Sequence, residues 1–531
     1  MQRRSLFQAG AGLAATAFSG MAPAIAQPAR AATLRFVPQA NLTALDPIWT
    51  SAIVTQMHGY HVYDTLYALD ARLRPQPQMA EGHEVSADGR VWRIRLREGL
   101  KFHDGTPVRA VDCAASLARW AKRDPFGQIL VTSVDEWRAA DDRTLEIRLK
   151  RPFPLLLEAL AKPDANVPFI MPERLATTDA NTQIGEVMGS GPFRFLRDEF
   201  VSGSRVVYAK NEAYVPRQEP ASGAAGGKVA HFARVEWHIL PDPATAAAAL
   251  QAGEVDWLDQ PLSDLIPTLV RNRDIEVGVL AEAGIMSIMR LNHLQPPFNN
   301  VKVRQAVALA VEQEDYMRAT LGNDRSIWRT CHSLFPCGTP LGVENLSEFN
   351  APPRSLDRAK AALQASGYNG EKVVIINPTD FPLIGPHGLI TADRLRRIGM
   401  NVELAETDWG TVVQRRVRKE PVERGGWSIF HTYGSSLGYL NPAVSSLVKG
   451  PGENGWFGWY DSPRAQALVQ QWLDAPDAER QQALANELNK LAQDDVATIP
   501  LGQFTIRSAW RKRITGHLKG SMPYPWGVRP V

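Results

Sequence analysis

The stretch that decides the fold spans residues 91–108 and reads VWRIRLREGLKFHDGTPV. In its first part the apolar residues Trp92, Ile94 and Leu96 alternate with arginines. A period of two puts the apolar groups on one face of a strand and the cations on the other, so the sequence predicts a half-buried strand. Gly105 and Pro107 then break the pattern and predict a tight turn.

A helix is expected to follow this turn. Asp112 precedes an apolar stretch that runs to Trp120, and an acidic residue at that point is typical of a helix start. Within the turn, His103 and Asp104 have two interpretations, as residues that hydrogen-bond within the turn or as a catalytic pair. Because no nucleophile accompanies them, we interpret both as turn residues.

The first 26 residues have the layout of an export signal. Arg3 and Arg4 precede a weakly apolar run rich in alanine and glycine, which ends in small residues. This layout is typical of a twin-arginine signal peptide, with cleavage expected after Ala26 or, alternatively, after Ala31. No later segment reaches the roughly 20 apolar residues of a membrane span, and no cysteine follows the cleavage site to carry a lipid. The sequence therefore predicts a soluble periplasmic protein without a membrane anchor.

The charge of the chain argues against a nucleic-acid partner. The formal net charge is +3 at pH 7, and it falls to +1 when Arg3 and Arg4 leave with the signal. So small a charge excludes the strongly basic surface that binds nucleic acid. The length of the chain favours a large core that is divided into more than one domain.

The three cysteines are consistent with an oxidising compartment. Three cysteines allow one disulfide and one spare thiol. Cys331 and Cys337 flank a short loop, whereas Cys113 lies on the apolar side of the helix predicted after the turn. We therefore predict a disulfide between Cys331 and Cys337 and a buried thiol at Cys113.

Further blocks along the chain resemble the large solute-binding proteins, called family 5, that serve ABC importers of the peptide and nickel type. Besides the opening stretch, these blocks are residues 79–82 (MAEG), 189–195 (GSGPFRF), 242–256 and 297–306 (PFNNVKVRQA). The glycines at 189 and 191 are also compatible with a phosphate cradle, but the motif lacks the following lysine and Ser/Thr, so we predict a turn. In block 242–256, Asp242 and Gly253 are expected to cap the two ends of a helix.

The resemblance implies an α/β fold of the periplasmic-binding-protein type II kind, cluster C. It implies two α/β lobes with an extra subdomain on the first: residues 33–283 form lobe I, 284–498 form lobe II and 499–531 return to lobe I. Alternating strands and helices predict a largely parallel sheet in lobe II. Two crossings make a hinge, and the cleft at a hinge closes on a ligand. The resemblance thus implies the solute-binding component of an ABC importer, whose partners are the transmembrane subunits of the permease.

The side chains expected to contact the solute are mostly aromatic residues where the resemblance places strand ends of lobe II. Rigid aromatic walls provide apolar burial together with a polar tip. One further candidate lies in the first strand–loop segment of lobe I and another directly after the first crossing. The predicted contact residues are Asn41, Met286, Trp409, His431, Tyr433 and Tyr439.

One loop departs from the family pattern. Dipeptide-binding relatives hold the free amine of the ligand with an aspartate in this loop, but residues 434–442 of this chain read GSSLGYLNP. The strand at 375–380 also lacks a nearby arginine for a ligand carboxylate. Because a buried ammonium needs a partner, we expect the cleft to prefer an uncharged, capped or mainly apolar solute, or a modified peptide, to a free dipeptide.

Two other functions stand as alternatives. A periplasmic enzyme is one, although the sequence contains no Cys-x-x-Cys and no His-Glu-x-x-His motif. A metal or metallophore receptor is the other, with His58 and His61 as ligands three positions apart, but no third ligand accompanies them. The sequence therefore predicts a monomeric binding protein for a peptide-like or other small organic solute, with no catalytic residue, no metal and no cofactor.

Overall fold

A computed structural model describes residues 33–475 and 477–531. The predicted signal peptide at 1–26 lies outside these described residues. The strands, in chain order, are β1 (Thr33–Val37), β2 (Asp64–Thr65), β3 (Tyr67–Leu69), β4 (Pro75–Pro77), β5 (Ala80–Val85), β6 (Val91–Leu96), β7 (Val134–Ala139), β8 (Thr144–Leu149), β9 (Phe169–Ile170), β10 (Phe193–Phe195), β11 (Arg205–Lys210), β12 (Arg234–His238), β13 (Trp257–Leu258), β14 (Ile275–Val279), β15 (Ile285–Leu291), β16 (Trp328–Arg329), β17 (Lys372–Pro378), β18 (Asn401–Thr407), β19 (Ile429–Ser435), β20 (Ile499–Phe504), β21 (Arg507–Arg511), β22 (Ile514–Thr515) and β23 (Arg529–Pro530).

The α-helices connect and cover these strands. In chain order they are α1 (Ile53–Val62), α2 (Ala110–Trp120), α3 (Pro125–Ser133), α4 (Leu156–Leu160), α5 (Glu173–Ala176), α6 (Pro243–Ala252), α7 (Ile266–Arg271), α8 (Val301–Ala310), α9 (Gln313–Leu321), α10 (Leu356–Ala365), α11 (Gly385–Ile398), α12 (Trp409–Arg415), α13 (Pro463–Leu473) and α14 (Ala478–Asp494). Within the described ranges, no helix combines the length and the apolarity needed to cross a membrane.

Lobe I is built on a seven-stranded sheet with the order β10-β11-β12-β1-β13-β21-β14. Its centre is parallel, because β1 pairs in parallel with both β12 and β13. Helix α6 follows β12 and is capped as the sequence predicted. The Asp242 side chain accepts a hydrogen bond of 2.7 Å from the Thr245 amide, and Gly253 ends the helix with φ 75°. A positive φ at the end of a helix favours glycine because it has no Cβ.

The opening stretch lies in an extra subdomain of lobe I, a four-stranded antiparallel sheet with the order β5-β6-β8-β7. Ile94 and Leu96 are buried and Arg93 is exposed, which confirms the half-buried strand. The predicted helix start is corrected: α2 begins after Arg109, and Asp112 stabilises its first turn from within by accepting a 2.8 Å hydrogen bond from the Arg109 amide.

Lobe II is built on a six-stranded sheet with the order β16-β20-β15-β19-β17-β18. The expectation of a largely parallel sheet was wrong. Strand β17 pairs in parallel with β18 and β19, but β15 pairs antiparallel with β19 and β20, and β20 pairs antiparallel with β16. The reason lies in the hinge, because the chain enters lobe II through β15 and leaves it through β20, and these neighbours therefore run in opposite directions.

The two crossings lie at 280–284, between β14 and β15, and at 505–506, between β20 and β21. The second crossing is later than the predicted boundary at 498/499, because β20 is hydrogen-bonded to β15 in the sheet of lobe II. Ile499 and Leu501 are buried there. Only the part from β21 onward returns to lobe I, where β21 pairs with β13 and β14.

Two of the three cysteines form a disulfide and the third is a free thiol. A disulfide joins Cys331 and Cys337, which follow β16 in lobe II, and Cys113 is a buried free thiol in α2. Burial in an apolar environment raises the pKa of the Cys113 thiol, because the thiolate is poorly solvated there. Cys113 therefore behaves as a packing residue.

Candidate functional site

A cavity lies between the two lobes, with an empty volume of about 850 Å³ including its mouth. Lobe I contributes residues 51–53, 162, 164–166 and 521–522 to its wall, and lobe II contributes 432–435 and 438–439 together with Trp409 and Arg416. Each lobe thus supplies part of one enclosed space. Such a space opens and closes when the lobes move about the hinge.

Trp409 is fixed at the start of α12, directly after β18. The side chain of Asp408 caps this helix by accepting a 2.9 Å hydrogen bond from the Thr411 amide, and the Trp409 amide donates a 2.7 Å hydrogen bond to Asp380. The indole ring packs edge-on against Phe381, with 5.1 Å between ring centroids. These contacts hold the indole as a rigid wall of the cavity.

Arg416 lies two helical turns beyond Trp409, on the same face of α12. It is 2% exposed. One Nη donates a 3.2 Å hydrogen bond to the Thr50 hydroxyl of lobe I, whereas Nε has no partner among the described residues. Aromatic rings surround the guanidinium, which lies 4.7 Å from the Phe457 ring centroid and 5.7 Å from that of Trp409. Burial lowers the pKa of Arg416 to about 9.

Asp164 supplies a carboxylate from the opposite lobe. It is 4% exposed, and its Oδ2 has no hydrogen-bond partner within the part of the chain that the structure describes. Burial raises the pKa of Asp164 to about 6, although the positive charge of Lys162 and a hydrogen bond from Ser435 act in the opposite direction. A carboxyl group with this pKa is ionised for the most part at pH 7, at the cost of its hydration.

The loop that carries Asp164 is held firmly in place. The Asn166 side chain donates hydrogen bonds to the carbonyls of Ile48 (2.8 Å) and Thr50 (3.1 Å). The intervening Ala165 has a φ of 54°, a backbone conformation that costs free energy for a residue with a Cβ. Strain of this kind is kept where surrounding contacts enforce a required geometry, and here that geometry directs Asp164 toward the cleft.

Two tyrosines complete the wall. The Tyr433 hydroxyl donates a 2.8 Å hydrogen bond to the Gln260 side chain of lobe I, and this bond links the lobes. Tyr439 lies close to Gly434, where a Cβ would collide with its hydroxyl. Gly438 is required for a similar reason, because a Cβ there would lie 2.8 Å from an Asp164 oxygen. The two glycines make room for the polar groups of the cavity.

The structure places three of the predicted contact residues on the cavity and three elsewhere. Trp409, Tyr433 and Tyr439 line it. His431 is completely buried in the core, where its Nε2 lies 2.8 Å from the Thr391 hydroxyl of α11. The sequence alone placed His431 among the residues at the strand ends of lobe II, but α11 covers the part of β19 that holds His431.

Asn41 and Met286 are also corrected. Asn41 accepts a 3.0 Å hydrogen bond from the Gly203 amide and lines a neighbouring groove, whose wall also includes Asp380 and Pro382 of lobe II. Met286 is fully buried in β15, between β19 and β20. A position next to the hinge brings its backbone near the cleft, but the neighbouring strands enclose its side chain.

The sequence alone missed Asp164 and Arg416, two charged residues that line the cavity. The loop 434–442 lacks a carboxylate, as predicted, yet Asp164 reaches Gly438 of that loop from lobe I. Neither residue carries a local signal in the sequence. The tertiary fold alone brings Asp164 to a loop that lies more than 250 positions away along the chain.

Other motifs serve the packing of lobe I. Asp104 accepts hydrogen bonds from Thr106 within the turn, as predicted, whereas His103 Nε2 lies 3.1 Å from the Gly191 carbonyl, outside the turn. Gly189 and Gly191 touch the backbone of Val62 at the end of α1, where a Cβ would not fit. The glycines at 189 and 191 therefore permit a close backbone approach, consistent with the predicted turn.

His58 and His61 are buried in α1. His58 Nδ1 lies 2.9 Å from the Tyr208 hydroxyl, and His61 Nδ1 lies 2.8 Å from the Met57 carbonyl. Burial lowers the pKa of each imidazole to about 3. Both rings pack against aromatic residues, among them Tyr208.

Residues 434–438 (GSSLG) also carry the Gly-x-Ser-x-Gly spacing of serine hydrolases. In those enzymes a neighbouring histidine activates the serine. The hydroxyl of Ser436 is buried and has no hydrogen-bond partner among residues 33–475 and 477–531. The arrangement at Ser436 is therefore not that of an activated nucleophile.

Comparison with known proteins gives matches along most of the chain. The model of bacterial extracellular solute-binding proteins, family 5 Middle, matches residues 74–450. A relative in Sinorhizobium fredii (strain NBRC 101917 / NGR234), named probable peptide ABC transporter periplasmic-binding protein y4tO, is 39% identical over 533 residues, which cover 100% of this chain and 99% of the relative. The glutathione-binding protein GsiB of Pectobacterium atrosepticum is 24% identical over 487 residues, 90% of this chain and 89% of GsiB.

Solved structures share the two-lobed fold. The binding protein AgaA of A. tumefacien R10, in complex with agropinic acid, has a TM-score of 0.77 at 20% identity and covers 94% of this chain and 99% of its own. The dipeptide binding protein of Pseudoalteromonas sp. SM9913, in complex with Met-Leu, has a TM-score of 0.75 at 18% identity and covers 94% of this chain and 100% of its own. The fold is thus that of the type II periplasmic binding proteins.

Proposed function

The chain belongs to family 5 of the bacterial extracellular solute-binding proteins, and we propose that it captures a peptide-like or other small organic solute between its lobes for an ABC importer. The observation that carries this proposal is the cavity with walls from both lobes. Sites for small solutes commonly lie between domains, where apolar and aromatic side chains surround a few polar groups. Opening of the lobes then releases the solute to the transmembrane subunits of the permease.

Trp409, Tyr433 and Tyr439 are the proposed solute contacts. All three line the cavity, and each ring is held by the protein itself, as the edge-on contacts of Phe381 with Trp409 and Tyr433 illustrate. Rings that are fixed before binding lose little conformational entropy when the solute arrives. They provide apolar burial, while the polar groups around them orient the solute.

The remaining properties of the protein follow from this role. We propose a monomer that is exported to the periplasm, cleaved after its signal and free of a membrane anchor, without enzymatic activity or a resident metal. In support, the Ser436 hydroxyl has no hydrogen-bond partner among the described residues, and His58 and His61 bond within lobe I. A metal assay on the purified protein tests the proposed absence of a resident metal, and a hydrolysis screen tests the proposed absence of enzymatic activity.

The solute that the protein retains tests the main proposal. The protein is purified from the periplasm without refolding, and the solute is released by denaturation and identified by mass spectrometry. We expect one small organic compound or a narrow set of peptides at a molar ratio near one, and its return to emptied protein should change the tryptophan fluorescence as the lobes close. Protein that carries no solute and shows no such change with any periplasmic extract would contradict the proposed role.

Trp409→Ala tests the position of the site. Loss of a large ring from a ligand-packed wall should weaken binding by roughly 1 to 3 kcal/mol. Trp137→Ala is the matched control, because Trp137 lies in β7 of the extra subdomain, away from the cavity. Calorimetric titration of both variants with the retained solute should separate them, and equal affinities would place the solute elsewhere.

A further inference from the structure

We propose that the solute is a zwitterion, whose carboxylate pairs with Arg416 and whose protonated amine pairs with Asp164. The inference deepens the proposed capture of a solute in the cleft and rests on it. It assigns the selection of the solute to two residues on opposite lobes, one in the loop 162–166 of lobe I and one at the end of α12 in lobe II.

The charges that line the cavity are unevenly paired. Its charged residues are Lys162, Asp164 and Arg416. Lys162 forms a buried ion pair with Asp124. Asp164 and Arg416 form no ion pair with each other or with any other described residue, and each has a side-chain atom without a hydrogen bond. Two opposite charges thus share one desolvated space and leave room for a partner of each.

Burial of an unpaired charge costs free energy, and this cost indicates that Arg416 lacks an anionic partner. Removing one partner of a buried ion pair leaves an uncompensated charge that destabilises a protein strongly. Arg416 has five N–H donors, and one protein oxygen, that of Thr50, accepts from them in the described structure. An anion from the solute satisfies the free donors and restores the stabilisation that burial removed.

The surroundings of Arg416 favour a carboxylate as this anion. The Phe457 and Trp409 rings lie near the guanidinium, with centroids 4.7 Å and 5.7 Å from its central carbon. Aromatic rings interact with a guanidinium without occupying its N–H donors. The donors lie in the plane of the group, where a planar carboxylate accepts two parallel hydrogen bonds.

Asp164 plays the complementary role. Its unpaired Oδ2 needs a donor, and an ammonium group supplies both the donor and the opposite charge. The braced loop between Lys162 and Asn166 keeps the carboxylate in position before the solute arrives. Binding therefore requires little rearrangement on this side of the cleft.

The pair also links recognition to closure. A solute that carries both charges is fully paired when it touches both lobes at once, which happens in the closed arrangement. An uncharged or capped analogue leaves Asp164 or Arg416 buried without a partner. The cleft therefore selects against the capped and uncharged solutes that the sequence alone had favoured.

A quartet of matched compounds tests the proposal. Emptied protein is titrated calorimetrically with the dipeptide Ala-Phe, its N-acetyl form, its C-terminal amide and the doubly capped form. Loss of one partner of a buried charge pair commonly weakens binding by about 30-fold or more. We therefore expect the free dipeptide to bind about 30-fold or more tightly than either singly capped form.

Two substitutions give a crossed pattern that a structural role would not produce. In Arg416→Met the preference for the free carboxylate over the amide should disappear, whereas the preference for the free amine should persist. In Asp164→Asn the opposite should hold. Arg151→Met is the control, because Arg151 bonds Asp474 and Gln470 across the outer rim of the lobes. Arg151→Met should weaken the binding of all four compounds to the same extent. Should Arg416→Met fail to fold, Arg416→Lys keeps the charge but loses the paired donors.

Several results would overturn the proposal. Capped compounds that bind as tightly as the free dipeptide would do so, as would variants without the crossed pattern. If none of the four compounds binds, the solute released from the purified protein decides: a solute that lacks a carboxylate or an amine refutes the inference but leaves capture in the cleft intact. A zwitterionic solute that both variants bind about 30-fold or more weakly supports it.

Discussion

Replacing Asp164 by Asn should make the unliganded protein more stable at neutral pH than the wild type. Asp164 is 4% exposed, and burial raises its pKa from the ordinary value of 3.8 to about 6. Between these two values the folded chain holds a proton that the unfolded chain has lost. The free energy of unfolding of the wild type therefore falls as the pH rises through this window.

The size of the effect follows from the same shift. A displacement of about two pKa units corresponds to roughly 3 kcal/mol. Because asparagine has nearly the same shape and does not titrate, the stability of Asp164→Asn should lack this loss. The difference between variant and wild type should grow by roughly 3 kcal/mol between about pH 4 and about pH 7, and level off above it.

Urea unfolding of both proteins across this pH range measures the difference. Asp259→Asn is the matched control, because burial raises the pKa of Asp259 to about 7. The difference in stability between Asp259→Asn and the wild type should therefore continue to grow to a higher pH than the difference for Asp164→Asn. Parallel pH profiles for Asp164→Asn and the wild type would refute the reasoning, because they would mean that the Asp164 carboxyl group is hydrated in the folded protein.

The remaining predictions concern the cysteines, the signal and one glycine of the cleft. Thiol counting under denaturing, non-reducing conditions should return one free cysteine per chain, and three would exclude the disulfide in the exported protein. Lysine at both Arg3 and Arg4 should leave precursor in the cytoplasm, because the twin-arginine receptor reads the pair as an address; an unchanged periplasmic yield indicates the general secretory route. Gly438→Ala should weaken binding of the retained solute, because the new Cβ would lie 2.8 Å from an Asp164 oxygen. Gly82→Ala is the control and should leave binding unchanged, because the space around Gly82 is open. Calorimetric titration of both variants measures the two affinities.

The sequence by itself determined individual strands and helices and the ends of some of them. Local signals did this work: the alternation of Ile94 and Leu96 with arginines specified a half-buried strand, and Asp242 and Gly253 specified both ends of α6. Such features depend on neighbours in the chain, so a single sequence contains them. The resemblance of whole blocks then supplied the two lobes and the hinge, which composition and periodicity do not specify.

The tertiary structure decided the direction of the strands and the chemistry of the cleft. Strand β20 joined the sheet of lobe II because the chain passes the hinge twice in opposite directions, which no local pattern encodes. Helix α11 covers His431 and separates its side chain from the cleft, although His431 shares strand β19 with Tyr433. Asp164 and Arg416 meet in one cavity from opposite lobes. Their burial, with Asp164 Oδ2 and Arg416 Nε left without a hydrogen-bond partner in the described part of the chain, arises only from packing between segments far apart in the chain.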